Sequence, residues 1–185
     1  MGADVIIASR NEKKITDTIE SIRQLNPASP GTLISGLVDT SDLKSVQSFG
    51  KRFSEQNYSL DFLVNNAGIH YFSSEGNPIF NRSVPVASKQ GFDLAFATNY
   101  LGHFLLTKLL LPKLISAGNH GRVINIASTY HVQADGTMLE PVERAGVLHT
   151  PVAAQIENSG FVHRRRAYGN NKLAQVIFLV EPKNI

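Results

Sequence analysis

Short apolar runs that alternate with amphipathic helices constrain this chain more than any other feature. Val5 to Ala8 is apolar and rich in β-branched residues, and Ser9, Arg10 and Asn11 end it, as they would end a buried strand. Ile15, Ile19, Ile22 and Leu25 then recur at spacings of four and three, which predicts a helix over 12–25, stopped by Asn26 and Pro27. Leu33 to Val38 reads as a second strand. Thr40 or Ser41 is placed to cap the next helix, whose apolar face carries Leu43, Val46, Phe49 and Phe53. Leu60 to Val64 is a third strand, Phe92 to about Ile115 the longest helix, and Arg122 to Ala127 a fourth strand. Tyr168 to Val180 opens and forms the last helix, with Leu173, Val176, Ile177 and Val180 on one face. Residues 69–88 and 131–165 read as long loops, the second with one short helix. Strands that are apolar throughout predict burial on both faces, hence a parallel sheet covered by helices. The β-α order is the doubly wound α/β pattern in a single domain spanning 1–185.

Composition narrows the class. With 185 residues and 42% hydrophobic side chains, the chain is long enough and apolar enough to bury a core. The net charge of +3 and pI near 9.2 suit an anionic ligand. The one dense basic run, Arg164 to Arg166, reads as a solvated loop rather than a nucleic-acid surface. The absence of cysteine excludes disulfides, thiolate catalysis and cysteine-ligated metal, and no metal site is expected. Phe104 to Ile115 is interrupted by Lys108, Pro112 and Lys113, too short and too charged to be expected to span a bilayer. The first residues show no signal peptide, which gives a cytoplasmic default unless a targeting segment lies upstream.

Four features carry candidate chemistry. Asn65-Asn66-Ala67-Gly68 follows the third strand, where open α/β sheets bind ligands, and Gly68 lets a flat ligand approach the backbone. Tyr168-Gly169-Asn170-Asn171-Lys172 puts a phenol and an ammonium four apart on one helix face. A fixed ammonium favours the phenolate, lowers the phenol pKa and makes a proton donor and acceptor usable near neutrality. Ser128, at the end of the fourth strand, points a hydroxyl toward the same crevice and can polarise a carbonyl. Asn99 stands inside the long helix, where asparagine is a poor helix former and marks a kink or a water site. Taken singly, each has a plain alternative: a tight turn, a surface pair, a capping serine, an exposed amide.

In this order on an α/β pattern, the four together resemble the short-chain dehydrogenase/reductase family. The likeness runs from residue 1 to about 180, and Thr98 to Thr107 is most similar to the branch with retinol dehydrogenases, the WW-domain oxidoreductase and protochlorophyllide reductases. The resemblance implies a Rossmann-like fold and hydride transfer between a nicotinamide cofactor and an alcohol or carbonyl substrate, retinoid-like or otherwise hydrophobic. It implies Tyr168 as acid/base, Lys172 on the nicotinamide ribose, Ser128 on the substrate carbonyl and Asn99 holding a relay water. Asn65, Ala67 and Gly68 would line the cofactor, with Asp39 near the adenine. Arg10 stands where an acid would select NAD, and its planar fork suits a 2′-phosphate, so NADP(H) is expected over NAD(H). A homo-oligomer is implied by resemblance alone.

Departures from the family set further expectations. No Gly-x-x-x-Gly-x-Gly turn precedes Val5, Gly2 resembles the glycine that closes the first family helix, and the family's last strands do not follow Ile185. In family order the first strand lies between the first and third seen here, so two open inner strand edges, or a re-pairing, are expected. An incomplete domain of this kind is expected to show weak cofactor binding and little activity, and the rival function is an inactive fragment that acts as a binding module. Residues 72–88 are an insertion. Ser128 and Tyr168 stand 40 positions apart, a longer connection than the family usually shows and one that could misplace Tyr168 relative to Ser128. The expectation is still that Tyr168, Lys172, Ser128 and Asn99 converge at the carboxyl ends of the strands. Glu181 to Ile185 breaks the helical pattern, as foreign sequence would.

Overall fold

The computed structural model describes residues 2–69, 87–136, 142–144, 147–149 and 161–180, in two compact units, Met1–Asp39 and Thr40–Ile185. The first unit is one β-α-β repeat: β1 (Val5–Ser9), α1 (Glu12–Leu25) and β2 (Leu33–Leu37). β1 and β2 are parallel, with Val5 opposite Leu33 and Ser9 opposite Leu37. Asn11 starts α1 by accepting the Lys14 amide at 3.0 Å. Ile15 and Ile19 are buried, worth about 1.5–3 kcal/mol each, but the apolar stripe runs out in the last turn, where Leu25 is 79% exposed.

The second unit begins with α2 (Leu43–Glu55). Its cap is Asp42, not Thr40 or Ser41. The Asp42 carboxylate accepts the Lys44 amide at 3.1 Å, and also takes Lys89 Nζ at 2.7 Å and Gln90 Nε2 at 2.9 Å. Partners more than forty residues away decide the cap, which local sequence cannot show. Val46, Phe49 and Phe53 form the buried face of α2. β3 (Phe62–Asn65) pairs in parallel with β4 (Arg122–Asn125), Asn65 opposite Asn125. Burial on both faces does not hold here. Leu63 and Asn65 point inward, while Phe62, Val64 and Ile124 are 61%, 52% and 41% exposed. Among the described residues each parallel sheet has two strands, so β1 and β3 each keep one edge without a partner strand.

α3 is the continuous helix Leu94–Ser116, with a π turn at Ala97–Leu101. It is capped by Asp93, which accepts the Phe96 amide at 2.7 Å. It is longer than the 104–115 stretch, and by length and composition alone it could cross a membrane; more than half of it is buried inside the protein, as in a core helix. β4 ends at Asn125, so Ser128 lies three residues beyond it and caps a 3-10 turn, Thr129–Gln133. β5 (Val142–Arg144) and β6 (Val147–His149) form an antiparallel pair within the stretch expected to be loop. α4 spans Phe161–Val180, so Tyr168 sits in its third turn rather than at its start. Residues 70–86, most of the first insertion, lie outside the described residues, as do 181–185 and the side chains of Arg164 to Arg166.

Candidate active site

Parallel pairing puts the carboxyl ends of β3 and β4 on one edge, and α4 lays Tyr168 and Lys172 beside them. The 40-residue gap between Ser128 and Tyr168 does not keep them apart: the Ser128 hydroxyl lies near enough to the Tyr168 phenol to lower its pKa. The segment after β4 is docked directly on α4. Asn170 donates to Asp135 Oδ1 and accepts from the Gly136 amide, both at 2.9 Å. Gly169 permits the approach: a Cβ there would lie 2.7 Å from the Tyr130 carbonyl oxygen and 3.2 Å from the Ala134 nitrogen. Ser128 Oγ accepts the Tyr130 amide at 3.3 Å, which leaves its proton to donate. The Tyr130 ring meets the Tyr168 ring edge-on, centroids 5.7 Å apart.

Lys172 is only 4% exposed. Its ammonium donates to the Ile126 carbonyl at 2.7 Å and to Gln175 Oε1 at 3.0 Å, and lies 5.8 Å from the Tyr168 ring centre. Asn99 is fully buried within the π turn, which rules out an exposed amide. Its side chain grips Ile69, accepting the amide and donating to the carbonyl, each at 2.8 Å. A π turn re-routes backbone bonds and offers carbonyls to side chains. The Asn99 carbonyl accepts Gln175 Nε2 at 2.6 Å and lies 3.0 Å from His103 Nδ1. Asn66, Ala67 and Gly68 form the exposed turn after β3. A Cβ on Gly68 would sit 3.5 Å from Asn99 Oδ1 and 3.7 Å from Lys172 Nζ, so this glycine keeps open the space in front of both. The Asn65 side chain turns the other way, into the core, where Nδ2 reaches Asn125 Oδ1 at 2.7 Å and Thr107 Oγ1 at 3.1 Å.

The electrostatics differ from the expectation of a lowered phenol. Burial pushes Tyr168 above the ordinary tyrosine value, the Ser128 hydrogen bond opposes this, and Tyr130 adds to it. Desolvation is the largest influence on this half-buried phenol and sets the sign of the shift. Burial also holds Lys172 below the ordinary lysine value. His103 is pushed down to about 4, chiefly by burial, against the raising effect of its bond to the Asn99 carbonyl.

A family model described as short chain dehydrogenase matches residues 1–138. The chain belongs to the short-chain dehydrogenase family. Among the relatives, the Brassica napus protein named Short-chain dehydrogenase TIC 32 A, chloroplastic, is 34% identical over 182 residues, 95% of this chain and 48% of its own length. Mouse retinol dehydrogenase 13 is 35% identical over 133 residues, 71% of this chain and 35% of its own. The chain thus spans about half the length or less of these curated relatives. The fold matches a metagenomic short-chain oxidoreductase solved in complex with NADP, at a TM-score of 0.60 and 22% identity over 97% of this chain and 62% of that one. The Rossmann-type parallel α/β architecture is therefore shared with solved members of the family.

Members of the short-chain dehydrogenase family bind nicotinamide cofactors. The Lys172 ammonium and the Asn99 amide oxygen both face Gly68, a donor and an acceptor that could meet the hydroxyls of such a group. In the first unit, Arg10 is exposed just beyond β1 and Asp39 is half-buried just beyond β2, at the same edge of their parallel pair. Sequence reading missed Gln175, His103 and Gly169. Their signals were the positions Lys172 plus three and Asn99 plus four on helices, and the glycine directly after the tyrosine.

Proposed function

We propose that the protein is an oxidoreductase that interconverts an alcohol and a carbonyl with NADP(H). The observation that carries this reading is the Ser128–Tyr168 hydroxyl pair beside a buried Lys172 at the carboxyl ends of two parallel strands. A bound nicotinamide would supply or take up the hydride. Tyr168 Oη gives its proton to the oxygen that becomes the alcohol, or removes it in the oxidative direction, and the raised phenol favours the protonated, donating form. Ser128 donates a hydrogen bond to the same oxygen and stabilises its developing charge. Lys172 and the Gly68 turn would hold the nicotinamide ribose; Asn99 shapes that turn through Ile69, and Asn65 acts by tying β3 to β4. Arg10 would take the 2′-phosphate, and Asp39 is assigned to the adenine end. The likeness to a protein named retinol dehydrogenase 13 supports a hydrophobic, retinoid-like substrate.

The test is oxidation of NADPH, with NADH in parallel, against a panel of aldehydes and ketones that includes a retinoid. Tyr168→Phe should lower kcat by about 10²–10⁴-fold. Arg10→Ala should weaken NADPH and leave NADH unaffected. Turnover that survives Tyr168→Phe refutes the assignment of the proton donor, and equal losses with both cofactors refute that of Arg10.

A further inference from the structure

We infer that Gln175 is a positioning residue for Lys172, its side-chain amide fixing the ammonium against the Asn99 carbonyl. The inference rests on the reading of Tyr168 and Lys172 as the reacting pair. Gln175 is 2% exposed and lies one helical turn beyond Lys172 on the same face of α4. Its amide has one possible orientation. The Asn99 carbonyl can only accept and the Lys172 ammonium can only donate, so Nε2 faces the first at 2.6 Å and Oε1 the second at 3.0 Å.

The bridge closes a larger circuit. The Asn99 side chain holds Ile69 beyond β3, the Asn99 carbonyl holds Gln175, Gln175 holds Lys172, and Lys172 holds the Ile126 carbonyl beyond β4. The ends of both strands are thereby tied to the π turn of α3 and to α4. Among the described residues the ammonium has two hydrogen-bond acceptors, and Gln175 supplies one of them. With two protons fixed, the third is left for the space in front of Gly68, where a Cβ would come within 3.7 Å of Nζ. An apolar side chain of similar length would fill the same volume and provide neither bond. A four-carbon lysine stem held by one acceptor alone would then be free to turn away from that space. The titratable groups around the ammonium are Tyr168 on its own helix and His103 on α3, whose coupling to Lys172 is repulsive.

The experiment is a titration of Lys172 in the 185-residue chain, by NMR of isotopically labelled lysine side chains, with Lys172→Arg to assign the signal. Gln175→Met removes the acceptor at nearly constant volume and should lower the Lys172 midpoint by about one pH unit or more, the equivalent of one hydrogen bond to a charged group. Gln175→Glu places a carboxylate against the ammonium and should raise the midpoint by a similar amount. A midpoint that fails to move in these directions overturns the inference. If Gln175→Met does not fold, Gln175→Glu decides alone. The titration needs no turnover, so its failure is distinct from failure of the oxidoreductase reading, which loss of activity in Tyr168→Phe tests.

Discussion

Lowering the pH should destabilise the second unit through His103. The imidazole is 4% exposed, bonded to the Asn99 carbonyl, and pushed from an ordinary value of 6.5 to about 4. In the unfolded chain it regains the ordinary value. The folded state therefore binds a proton less readily, and the contribution to stability is complete above pH 6.5 and lost as pH falls toward 4. A gap of roughly 2.5 pH units at about 1.36 kcal/mol each puts the full loss at about 3 kcal/mol, with about 2 kcal/mol of it gone by pH 5. That is a large fraction of the ~5–15 kcal/mol that holds a domain folded. Urea unfolding at pH 7.5, 6 and 5 measures it, with His103→Gln as the control that cannot titrate. The parent should lose about 2 kcal/mol more than the variant between pH 7.5 and 5. Parallel losses in the two proteins would show that His103 takes up its proton as readily folded as unfolded, and the burial argument would fail.

Gly169→Ala should push the Tyr130 carbonyl off α4 and cost about 1–3 kcal/mol, a penalty typical of overpacking, and it should lower kcat by separating Ser128 from Tyr168. Thermal unfolding together with turnover checks both effects; an alanine variant with unchanged stability would mean that the turn and the helix do not touch. Asp42→Asn keeps the cap but removes the charge that Lys89 and Gln90 hold at about 2, against an ordinary 3.8. That contribution is present above pH 3.8 and is lost as pH falls toward 2. Because Lys89 is 76% exposed, the variant should be less stable than the parent by only about 1–2 kcal/mol at pH 7, with the difference closing below pH 3 in denaturant titrations.

The sequence by itself determined the four parallel-type strands and the helices between them, in order, but not the β5–β6 pair. Periods of three and four around Ile15 and around Val46, and the β-branched runs at Val5 and Val123, are local signals, because helices and strands obey local stereochemistry. It also marked Ser128, Tyr168 and Lys172, by residue type and spacing, as the groups to which the proposed chemistry is assigned. Tertiary structure decided the rest. Helix α4 starts at Phe161, a turn and more before the tyrosine, although nothing in the period of 161–167 required it. The cap of α2 fell to Asp42 because Lys89 and Gln90 reach it from the far side of a long connection. Asn99, legible only as a poor helix former, lies in a π turn whose carbonyl is claimed by His103 and Gln175. The Tyr168 phenol rose rather than fell because desolvation depends on what surrounds a group, and the Tyr130 ring packed against it comes from about forty residues upstream. Spacing along a chain records which groups share a helix face; it does not record how much water a distant segment removes from them.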